Sequence, residues 1–365
     1  MTPAYLSIDE NIQRAATLPA HFYRDRAIFD EVKEKIFAAS WLYVSDAAVV
    51  KNPGEVYPFT LLPGVLDEPL VLVRDRKGVL RCLSNVCTHR GKVIVEEAGT
   101  VGMMLRCGYH GRCFRLDGTF KSMPEFELAE GFPTPADDLH QVPVREWLGM
   151  VFVSLNPAFD FEEATLPIRE RVGFLPTDTL VFEGEGTKDY LVNANWALYC
   201  DNYLEGFHIP FVHPALNQAL DFGQYDYELF PYCNLQIGIA DEGQPHFEVP
   251  EGHADVGKKI YAWYFWLFPN LMLNFYPWGL SLNIVEPLSH ERTMVHFRTY
   301  RFENQPFNRS ENQLEKTEFE DEAVVESVQR GIQSRFYQQG RFSPTMEKGV
   351  HHFHRLVAGF LGGER

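Results

Sequence analysis

The chain has 365 residues, of which 45% are apolar and 14% aromatic, and it carries a formal net charge of −17. A chain of this length suits two domains, and its negative charge argues against nucleic acid or an anionic membrane as the main partner. The N-terminus has no basic stretch before an apolar run, and there is no run of about 18 apolar residues, so we expect neither a signal peptide nor a membrane-spanning helix. We expect a cytoplasmic location, where clustered cysteines are more often metal ligands than disulfides.

Taken in chain order, the predicted elements form a β-rich segment enclosed by a mixed α/β remainder. Apolar residues recur at helical spacing within residues 9–40. From Trp41 to about Asn156, short β-rich runs alternate with Gly and Pro turns, which is typical of a small antiparallel β domain. The remainder predicts helices at 193–207, 311–338 and 346–361 and strands at 259–268, 271–276, 280–286 and 291–302. We therefore predict an α+β chain with one domain at 41–157 and a second formed by 1–40 and 158–365.

Two short stretches of the β-rich segment each contain one cysteine and one histidine. Cys87 and His89 form the first pair, and Cys107 and His110 form the second. Two thiolates can hold one iron of a [2Fe–2S] cluster and two imidazoles the other, which raises the reduction potential relative to an all-cysteine cluster. A zinc site is the alternative, but zinc fingers usually place their cysteines together and their histidines together. The alternating order therefore favours the iron–sulfur cluster.

Basic residues concentrate around these two pairs. Between Arg74 and Lys121 there are ten Lys or Arg against four Asp or Glu, a formal charge of +6 that leaves −23 for the rest of the chain. A solvated basic face would explain this alone, but its position around the Cys–His pairs predicts a docking surface for an acidic electron donor, with Lys92 and Arg112 on it. The other cysteines lack a ligand pattern and are expected to be buried apolar residues: Cys82, Cys113, Cys200 and Cys233.

A second constellation lies in the segment NANWALYCDNYLEGFHIPFVHPAL, which contains Glu205, His208 and His213. Iron that activates O2 is commonly held by two histidines and one carboxylate, which leave other coordination positions open. The two histidines are five positions apart, about 140° around an ideal helix. Pro210 must disturb a helix between them, so a kinked turn can bring both imidazoles to one metal. The alternative is a pair of packing histidines at a helix end.

A third ligand must come from a distant part of the sequence. The helix FEDEAVVESVQRGIQSRFY has an apolar stripe that continues from Asp321, so we expect Asp321 to point toward the core and Glu320 and Glu322 to point away. The stripe consists of Val324, Val325, Val328 and Ile332. A metal would offset the cost of burying the Asp321 carboxylate. The alternative is an acid near a helix N-terminus that interacts with the helix dipole.

Together these motifs resemble those of the Rieske non-haem iron oxygenases, the alpha subunits of the aromatic-ring-hydroxylating family. That family has Cys-x-His-Arg-Gly and Cys-x-Tyr-His-Gly, and this chain has them at 87–91 and 107–111. Gly108 departs from the family's usual Pro, and Arg112 from its usual Trp. Lys92 and Tyr109 stand where Rieske proteins of respiratory complexes carry two extra cysteines, so the similarity is to the lower-potential oxygenase branch. It covers nearly the whole chain, from about Phe22 to Phe360.

The resemblance implies which residues bind the metals. It implies a [2Fe–2S] cluster held by Cys87, His89, Cys107 and His110, and a mononuclear iron held by His208, His213 and Asp321. In the family an Asp lies at the start of a helix that contains a sequence similar to residues 328–331, which favours Asp321 as the third iron ligand. The other acids considered for that role are Glu318, Glu320 and Glu322.

The resemblance also implies an architecture and an electron route. It implies a Rieske domain, a helix-grip-like α+β catalytic domain that includes the N-terminal helical piece, and a homotrimer. Glu205 stands where the family usually has an Asp that links one Rieske histidine to one iron histidine across a subunit boundary. We therefore expect Glu205 to bridge the two metal sites. Glu at this position is found in the branch with choline monooxygenase and the carnitine, glycine betaine and stachydrine oxygenases.

The expected function is that of a terminal oxygenase. No dinucleotide fingerprint is present, so electrons must come from a separate NAD(P)H-dependent flavin and iron–sulfur reductase, directly or through a ferredoxin. With O2, the enzyme would mono-oxygenate or N-demethylate a small organic molecule. The aromatic run at 261–279 suits an arene by stacking or a quaternary ammonium by cation–π contact. The Glu205 branch favours the ammonium compound, and an aromatic acid or ether is the runner-up.

Two readings from other functional classes compete with the oxygenase. The first is an electron carrier or sensor that holds only the Rieske cluster. A carrier would have no use for a second ligand set in some 200 further residues. The second is a zinc-stabilised binding protein, which would be colourless.

Overall fold

The computed structural model describes residues 6–213, 226–303 and 311–363, except for the side chains of Glu185 and residues 311–318. Two compact units make up the chain. The smaller is Trp41–Pro157, and the larger combines Met1–Ser40 with Ala158–Arg365. No helix among the described residues has the length and apolar content that crossing a membrane requires.

The smaller unit is built from eleven short strands. They are β1 Leu42–Asp46, β2 Glu55–Leu61, β3 Glu68–Arg74, β4 Leu80–Ser84, β5 Gly99–Thr100, β6 Met104–Arg106, β7 Cys113–Arg115, β8 Phe120–Ser122, β9 Gln141–Val142, β10 Val144–Trp147 and β11 Met150–Val153. They form three antiparallel sheets, ordered β5-β2-β3-β4-β9, β6-β7-β8 and β1-β11-β10. The prediction of a small antiparallel β domain is confirmed.

The core of this unit includes two of the cysteines. Strand β3 is buried on both faces at Leu70–Val73, because β2 and β4 flank it and apolar side chains cover it. Cys87 and Cys107 pack into the same apolar cluster as Val71 and Phe114. The fold therefore places both thiols in a dry environment.

The larger unit combines helices with one large sheet. Its helices are α1 Ala20–Arg24, α2 Arg26–Val32, α3 Phe161–Val172, α4 Trp196–Tyr203, α5 Ile209–Val212, α6 Glu311–Gly331 and α7 Lys348–Gly362. Its strands are β12 Leu180–Phe182, β13 Lys188–Val192, β14 Asp226–Phe230, β15 Cys233–Ile239, β16 Ile260–Leu267, β17 Leu271–Tyr276, β18 Gly279–Ser289 and β19 Arg292–Phe302. The α+β prediction is confirmed for the chain as a whole.

The large sheet is an antiparallel meander, and α4 and α7 pack against the face that carries Trp266. Strands β14 to β19 follow one another in space as in sequence, β12 extends the order beyond β19, and β13 also pairs with β19. The Trp266 ring of β16 lies 5.2 Å from that of Phe353 in α7, and Phe353 lies 5.6 Å from Trp196 in α4. This aromatic contact holds α4, which leads to the second constellation, against the sheet.

Three of the four predicted helical stretches are too long at their ends, while the helix predicted at 346–361 agrees with α7 within two residues. Within 9–40, helix begins only at Ala20, because the side chains of Asp9 and Asn11 accept backbone N–H groups locally and compete with helix formation. The helix predicted at 193–207 spans only Trp196–Tyr203, and the one predicted at 311–338 ends at Gly331. The four predicted strands lie within three residues of observed strand ends.

Candidate metal sites

The first Cys–His loop follows β4 and is closed by its own backbone. The Cys87 N–H donates to the Lys92 carbonyl at 2.9 Å, and the Gly91 N–H donates to the Cys87 carbonyl at 2.9 Å. Gly91 has a φ of 71°, in the left-handed region that favours glycine. The turn leaves Cys87 buried and His89 partly exposed. The backbone conformation therefore sets the directions in which the Cys87 and His89 side chains project.

The second loop, between β6 and β7, repeats this construction. The Cys107 N–H donates to the Arg112 carbonyl at 2.8 Å, and the Gly111 N–H donates to the Cys107 carbonyl at 3.1 Å. Gly111 has a φ of 76°, close to that of its counterpart. His110 stands next to this glycine, with Cys107 buried behind it. Two loops of different sequence thus place a buried thiol at the same position of the same turn, with the histidine two residues later in the first loop and three residues later in the second.

The two loops bring their four side chains together. The His89 and His110 rings lie 4.8 Å apart, and the Cys87 thiol is within hydrogen-bonding reach of Cys107. Burial raises the pKa of Cys87, and the nearby Cys107 raises it further. The buried Nδ1 of His110 has no hydrogen-bond partner in the described part of the chain. A buried nitrogen with a free electron pair beside two thiols and a second imidazole fits a [2Fe–2S] cluster with two Cys and two His ligands.

One prediction about the basic stretch is wrong. Arg112 was expected on an exposed docking face, but it is 2% exposed, because its guanidinium pairs with Asp137 and lies among phenylalanine rings. Lys92 is partly exposed and pairs with Glu96 at 2.6 Å. The other four cysteines are buried, as expected. The exposed basic residues of the stretch are Arg76, Lys77, Arg90, Arg106, Arg115 and Lys121.

In the larger unit, three predicted residues converge on one point. Ligand atoms of His208, His213 and Asp321 all lie within 4.8 Å of one another. The Nε2 atom of His213 is 2.9 Å from Asp321 Oδ1, and that of His208 is 3.4 Å from the same oxygen. Two imidazole nitrogens and one carboxylate therefore face a common position, which is the donor set of a facial metal site.

The local structure around the histidines differs from the kinked helix that the sequence predicted. Helix α4 ends at Tyr203, and the separate short helix α5 begins at Ile209, with His208 as its N-cap and His213 as its C-cap. Pro210 lies in the first turn of α5, where no intrahelical N–H donor is needed. The two rings are 5.1 Å apart. The proline therefore starts a new helix instead of kinking an existing one.

A glutamate holds the far side of each imidazole. The Nδ1 of His208 lies 2.7 Å from Glu205 Oε1, and the backbone N–H of His208 donates to Glu205 Oε2 at 3.1 Å. The Nδ1 of His213 lies 2.9 Å from Glu320 Oε2. A carboxylate at Nδ1 fixes the tautomer that leaves Nε2 free to bind a metal, which is common for metal-binding histidines. The arrangement therefore fits a metal at the point that both Nε2 atoms face.

The electrostatics of this site are those of a cation site. Burial alone would lower the pKa of His213, but the hydrogen bonds and charges of Asp321 and Glu320 outweigh it and raise the pKa. Burial, followed by the charges of Glu326 and Asp321, raises the pKa of Glu322 to about 7. Several carboxylates around two imidazoles thus create a strongly negative pocket, which a bound cation would neutralise.

The prediction that Glu320 points away from the site is wrong. Successive helix residues are about 100° apart, so both Glu320 and Asp321 can border a site that the helix crosses. The predicted stripe is also wrong in part, because Val328 is exposed while Gln329 is buried. Asn202 of α4 donates to Asp321 Oδ1 at 2.7 Å, a contact that the sequence reasoning missed. Its position three residues before Glu205 was the available signal. The side chain of Glu318 lies outside the described part of the chain.

The aromatic run at 261–279 divides into core residues and a half-buried group. Five of its aromatic side chains are fully buried: Trp263, Phe265, Trp266, Phe268 and Phe275. Tyr264 and Tyr276 are only partly buried, and their rings lie 5.9 Å apart. The expectation that most of the run belongs to the core agrees with this division.

The half-buried group shares its sheet face with polar residues that contact α4. Tyr264 is the cross-strand neighbour of both Gln236 and Asn274. The Tyr203 hydroxyl donates to Asn274 Oδ1 at 2.7 Å, and Gln236 Nε2 donates to the Tyr203 carbonyl at 2.7 Å. Tyr203 is the last residue of α4, two positions before Glu205. The face therefore combines aromatic rings with amides that contact Tyr203, two positions before the carboxylate that holds His208.

Two family models match the chain. The model described as "Ring hydroxylating alpha subunit (catalytic domain)" matches residues 181–363, and that described as "Rieske [2Fe-2S] domain" matches residues 40–133. Among relatives, the carnitine monooxygenase oxygenase subunit of Escherichia coli (strain K12) is 32% identical over 95% of this chain and 94% of its own length. The chloroplastic choline monooxygenase of Arabidopsis thaliana is 27% identical over 95% of this chain and 83% of its own.

Solved structures of two oxygenases are also similar to this chain. The quaternary ammonium Rieske monooxygenase CntA in complex with its substrate L-carnitine is 26% identical, with a TM-score of 0.74 over 95% of this chain and 96% of that one. Naphthalene 1,2-dioxygenase from Rhodococcus sp. has a TM-score of 0.70 over 94% of this chain and 93% of that one, at 18% identity. The second likeness, at that identity, concerns the fold alone.

Proposed function

Because the chain belongs to the family of ring-hydroxylating oxygenase alpha subunits that carry a Rieske [2Fe–2S] domain, we propose that it is the terminal oxygenase for a small quaternary ammonium compound. The observation that carries this proposal is the convergence of His208, His213 and Asp321 within 4.8 Å, inside the catalytic domain that relatives use for such oxidations. An electron carrier or a zinc-stabilised binding protein would have no use for that domain.

We assign the cluster to Cys87, His89, Cys107 and His110. The unpartnered Nδ1 of His110 and the adjacent buried thiols support this ligand set. Rieske clusters receive one electron at a time and pass it on, so the chain needs a donor. We propose a separate NAD(P)H-dependent reductase with flavin and an iron–sulfur centre as that donor, directly or through a ferredoxin.

We assign a mononuclear iron to His208, His213 and Asp321. An iron in such a site supplies the activation of O2 that hydroxylation requires. The chain's own residues do the positioning: Glu205 and Glu320 orient the two imidazoles through Nδ1, and Asn202 orients the Asp321 carboxylate. These partners keep both Nε2 atoms directed at one point.

We propose that Glu205 also carries the electron route between subunits of a homotrimer. Its carboxylate uses Oε1 on the His208 imidazole and Oε2 on the His208 backbone. A carboxylate has about four acceptor positions, so Glu205 can accept another hydrogen bond from a cluster histidine of a neighbouring subunit. The structure of a related quaternary ammonium Rieske monooxygenase gave insights into inter-subunit electron transfer, which supports this assignment.

We propose a methylated quaternary ammonium as the substrate class. The relatives act on carnitine and choline, and Tyr264 and Tyr276 offer half-buried rings of the kind that attract such a cation. Hydroxylation of a carbon attached to nitrogen yields a product that collapses by C–N cleavage and releases an aldehyde.

A substrate panel tests the proposed function. The purified protein, a reductase and NADH are combined with carnitine, choline, glycine betaine or stachydrine, and with aromatic acids and ethers as the contrasting arm. We expect substrate-dependent NADH oxidation with matched aldehyde release for at least one quaternary ammonium. Turnover with arenes alone would contradict the substrate class and leave the oxygenase class in place.

A cytoplasmic location remains a prediction.

The reductase partner can be tested through the basic surface beside the first loop. Arg90 is exposed next to His89, so an acidic donor docking there should feel its charge within the screening length of about 8 Å at physiological salt. Reduction of the cluster should slow as salt rises and in Arg90→Glu. Lys77→Glu is the matched control, because Lys77 lies in the β3–β4 turn, at the other end of β4 from the loop. Equal effects of both variants, or reduction independent of salt, would contradict this docking face.

A further inference from the structure

A charged side chain is buried at the end of the second Cys–His loop. Arg112 is 2% exposed, and its Nη2 donates to Asp137 Oδ1 at 2.7 Å and to the Asp137 carbonyl at 3.1 Å. Its guanidinium lies 4.9 to 5.6 Å from the centroids of three aromatic rings: Phe114, Phe120 and Phe132. Removing a guanidinium from water costs several kcal/mol before its partners offset it, so a purely structural role would suit an apolar side chain better. The buried charge therefore calls for a function.

The partner of Arg112 touches both cluster loops. Asp137 ends the short helical turn Pro135–Asp137, and its Oδ2 accepts from the backbone N–H and hydroxyl of Thr134 at 2.7 and 3.1 Å. The Asp137 carbonyl accepts from the Thr88 hydroxyl at 2.8 Å as well as from Arg112. Thr88 lies between the cysteine and histidine of the first loop, and Arg112 closes the second. One turn thus fastens both loops.

Hydrogen bonds connect Arg112 to both loops. Its carbonyl accepts the Cys107 N–H at 2.8 Å, and its Nη2 shares the Asp137 carbonyl with the hydroxyl of Thr88. Thr88 lies between Cys87 and His89, so the buried guanidinium is held close to residues of both pairs of proposed ligands.

We propose that Arg112 is a positioning residue of the cluster whose buried positive charge raises the cluster's reduction potential. This inference rests on the proposed ligands Cys87, His89, Cys107 and His110. Reduction adds one electron, delivered by the reductase, and so adds one negative charge to the cluster. A cation in a low-dielectric environment stabilises that reduced state and makes the electron easier to accept. The Asp137 carboxylate acts in the opposite direction, because it partly neutralises Arg112.

The test is a redox titration of the full-length, cluster-loaded protein, followed by its visible and electron paramagnetic resonance spectra. Arg112→Gln removes the charge and should shift the one-electron equilibrium about tenfold toward the oxidised cluster, which is 59 mV. Arg112→Lys keeps the charge and should stay near the parent. Asp137→Asn keeps Arg112 and removes its counter-charge, so the potential should rise. Arg115→Gln is the matched control, since Arg115 is an exposed arginine on β7 and should leave the potential unchanged.

The two variants Arg112→Gln and Asp137→Asn should shift the reduction potential in opposite directions, which distinguishes an electrostatic role of Arg112 from a purely structural one. If Arg112 and Asp137 served only to fasten the loops, the Gln and Asn variants would move the potential in the same direction or lose the cluster alike. Either result would overturn the proposal, as would an unchanged potential in Arg112→Gln. If Arg112→Gln alone fails to assemble, a raised potential in Asp137→Asn supports the proposal and an unchanged or lowered one overturns it. An incorrect ligand set would be seen separately, as the lack of a Rieske spectrum in the parent protein.

Discussion

The two candidate metal sites are built in different ways. Each cluster loop is six residues long and is closed by its own backbone hydrogen bonds, with a left-handed glycine at the same place in both turns. The candidate iron site joins α5 and its flanking residues to the distant helix α6, and carboxylates hold its imidazoles in place. The first site therefore depends on local backbone conformation, and the second on side chains that tertiary folding brings together. Substitutions should affect the two sites independently.

The largest expected effect belongs to Glu205, which we propose to link a cluster histidine of one subunit to His208 of a neighbouring subunit. Glu205→Gln keeps the size of the side chain but loses its charge and acceptor capacity. We expect the variant to assemble and accept electrons at the cluster. Its mononuclear iron should bind up to about tenfold more weakly, because the contact to His208 is altered, and turnover per iron-loaded molecule should fall about 100-fold because onward transfer fails. Glu205→Asp should be intermediate, because a shorter side chain must span the same gap. Single-turnover kinetics that start from fully reduced protein measure the transfer directly.

The alternative for Glu205 is a purely local role, in which it only holds His208. The Gln variant would then lose stability or iron, and its cluster would be reoxidised at the normal rate in the molecules that keep iron. That rate decides between the two roles.

A smaller effect is expected at Glu320, which tests whether side-chain contacts hold the iron site together. Glu320→Gln weakens the hydrogen bond that orients His213, so the affinity for the mononuclear iron should fall about tenfold. The cluster spectrum should not change. Glu322→Gln is the matched control: burial, with the charges of Glu326 and Asp321, already raises the pKa of this neighbouring acid to about 7, so its neutralisation should lower iron affinity less than loss of the Glu320 contact does. Equal losses of iron in both variants would argue against a specific role for Glu320.

The smallest effect is expected at Gly111, which tests whether backbone conformation holds the cluster loops. Gly111→Ala should lower the stability of the smaller unit by about 1 kcal/mol, because alanine is disfavoured at a φ of 76°. The Cβ atom itself fits, since its nearest neighbour would lie 3.5 Å away. Gly108→Ala in the same loop has no such conformational cost and serves as the control. Thermal unfolding followed through the cluster absorbance measures both, and a neutral Gly111→Ala would contradict the argument from the backbone.

The difference between the sites also explains what could be predicted from the sequence. Cys87, His89, Cys107 and His110 lie at fixed short spacings, and their loops close locally, so the motif predicts that they come together. Four strands of the large sheet, β16 to β19, could be predicted because their apolar runs are long and bounded by turns, whereas β12 to β15 were not predicted. Arg112 could not be placed, because its burial depends on Asp137, which lies 25 positions further along the chain.

The iron site shows the same limit at longer range. The sequence indicated His208 and His213 by spacing, but it predicted a kinked helix where Pro210 opens a new one. The apolar stripe that favoured Asp321 is only partly correct. The same stripe predicted that Glu320 points away from the site, but Glu320 contacts His213. The angle at which α6 crosses the site decides which acids reach it, and that angle is a property of the packed helices.

The central claim is that one chain carries two independent metal sites, and a metal count tests it most directly. Purified protein should contain three irons per chain and show the reddish-brown Rieske spectrum. Asp321→Ala should retain two irons with an unchanged spectrum, because Asp321 belongs to the side-chain-built site alone. Loss of the cluster spectrum in Asp321→Ala, or a colourless parent protein that contains only zinc, would contradict the account.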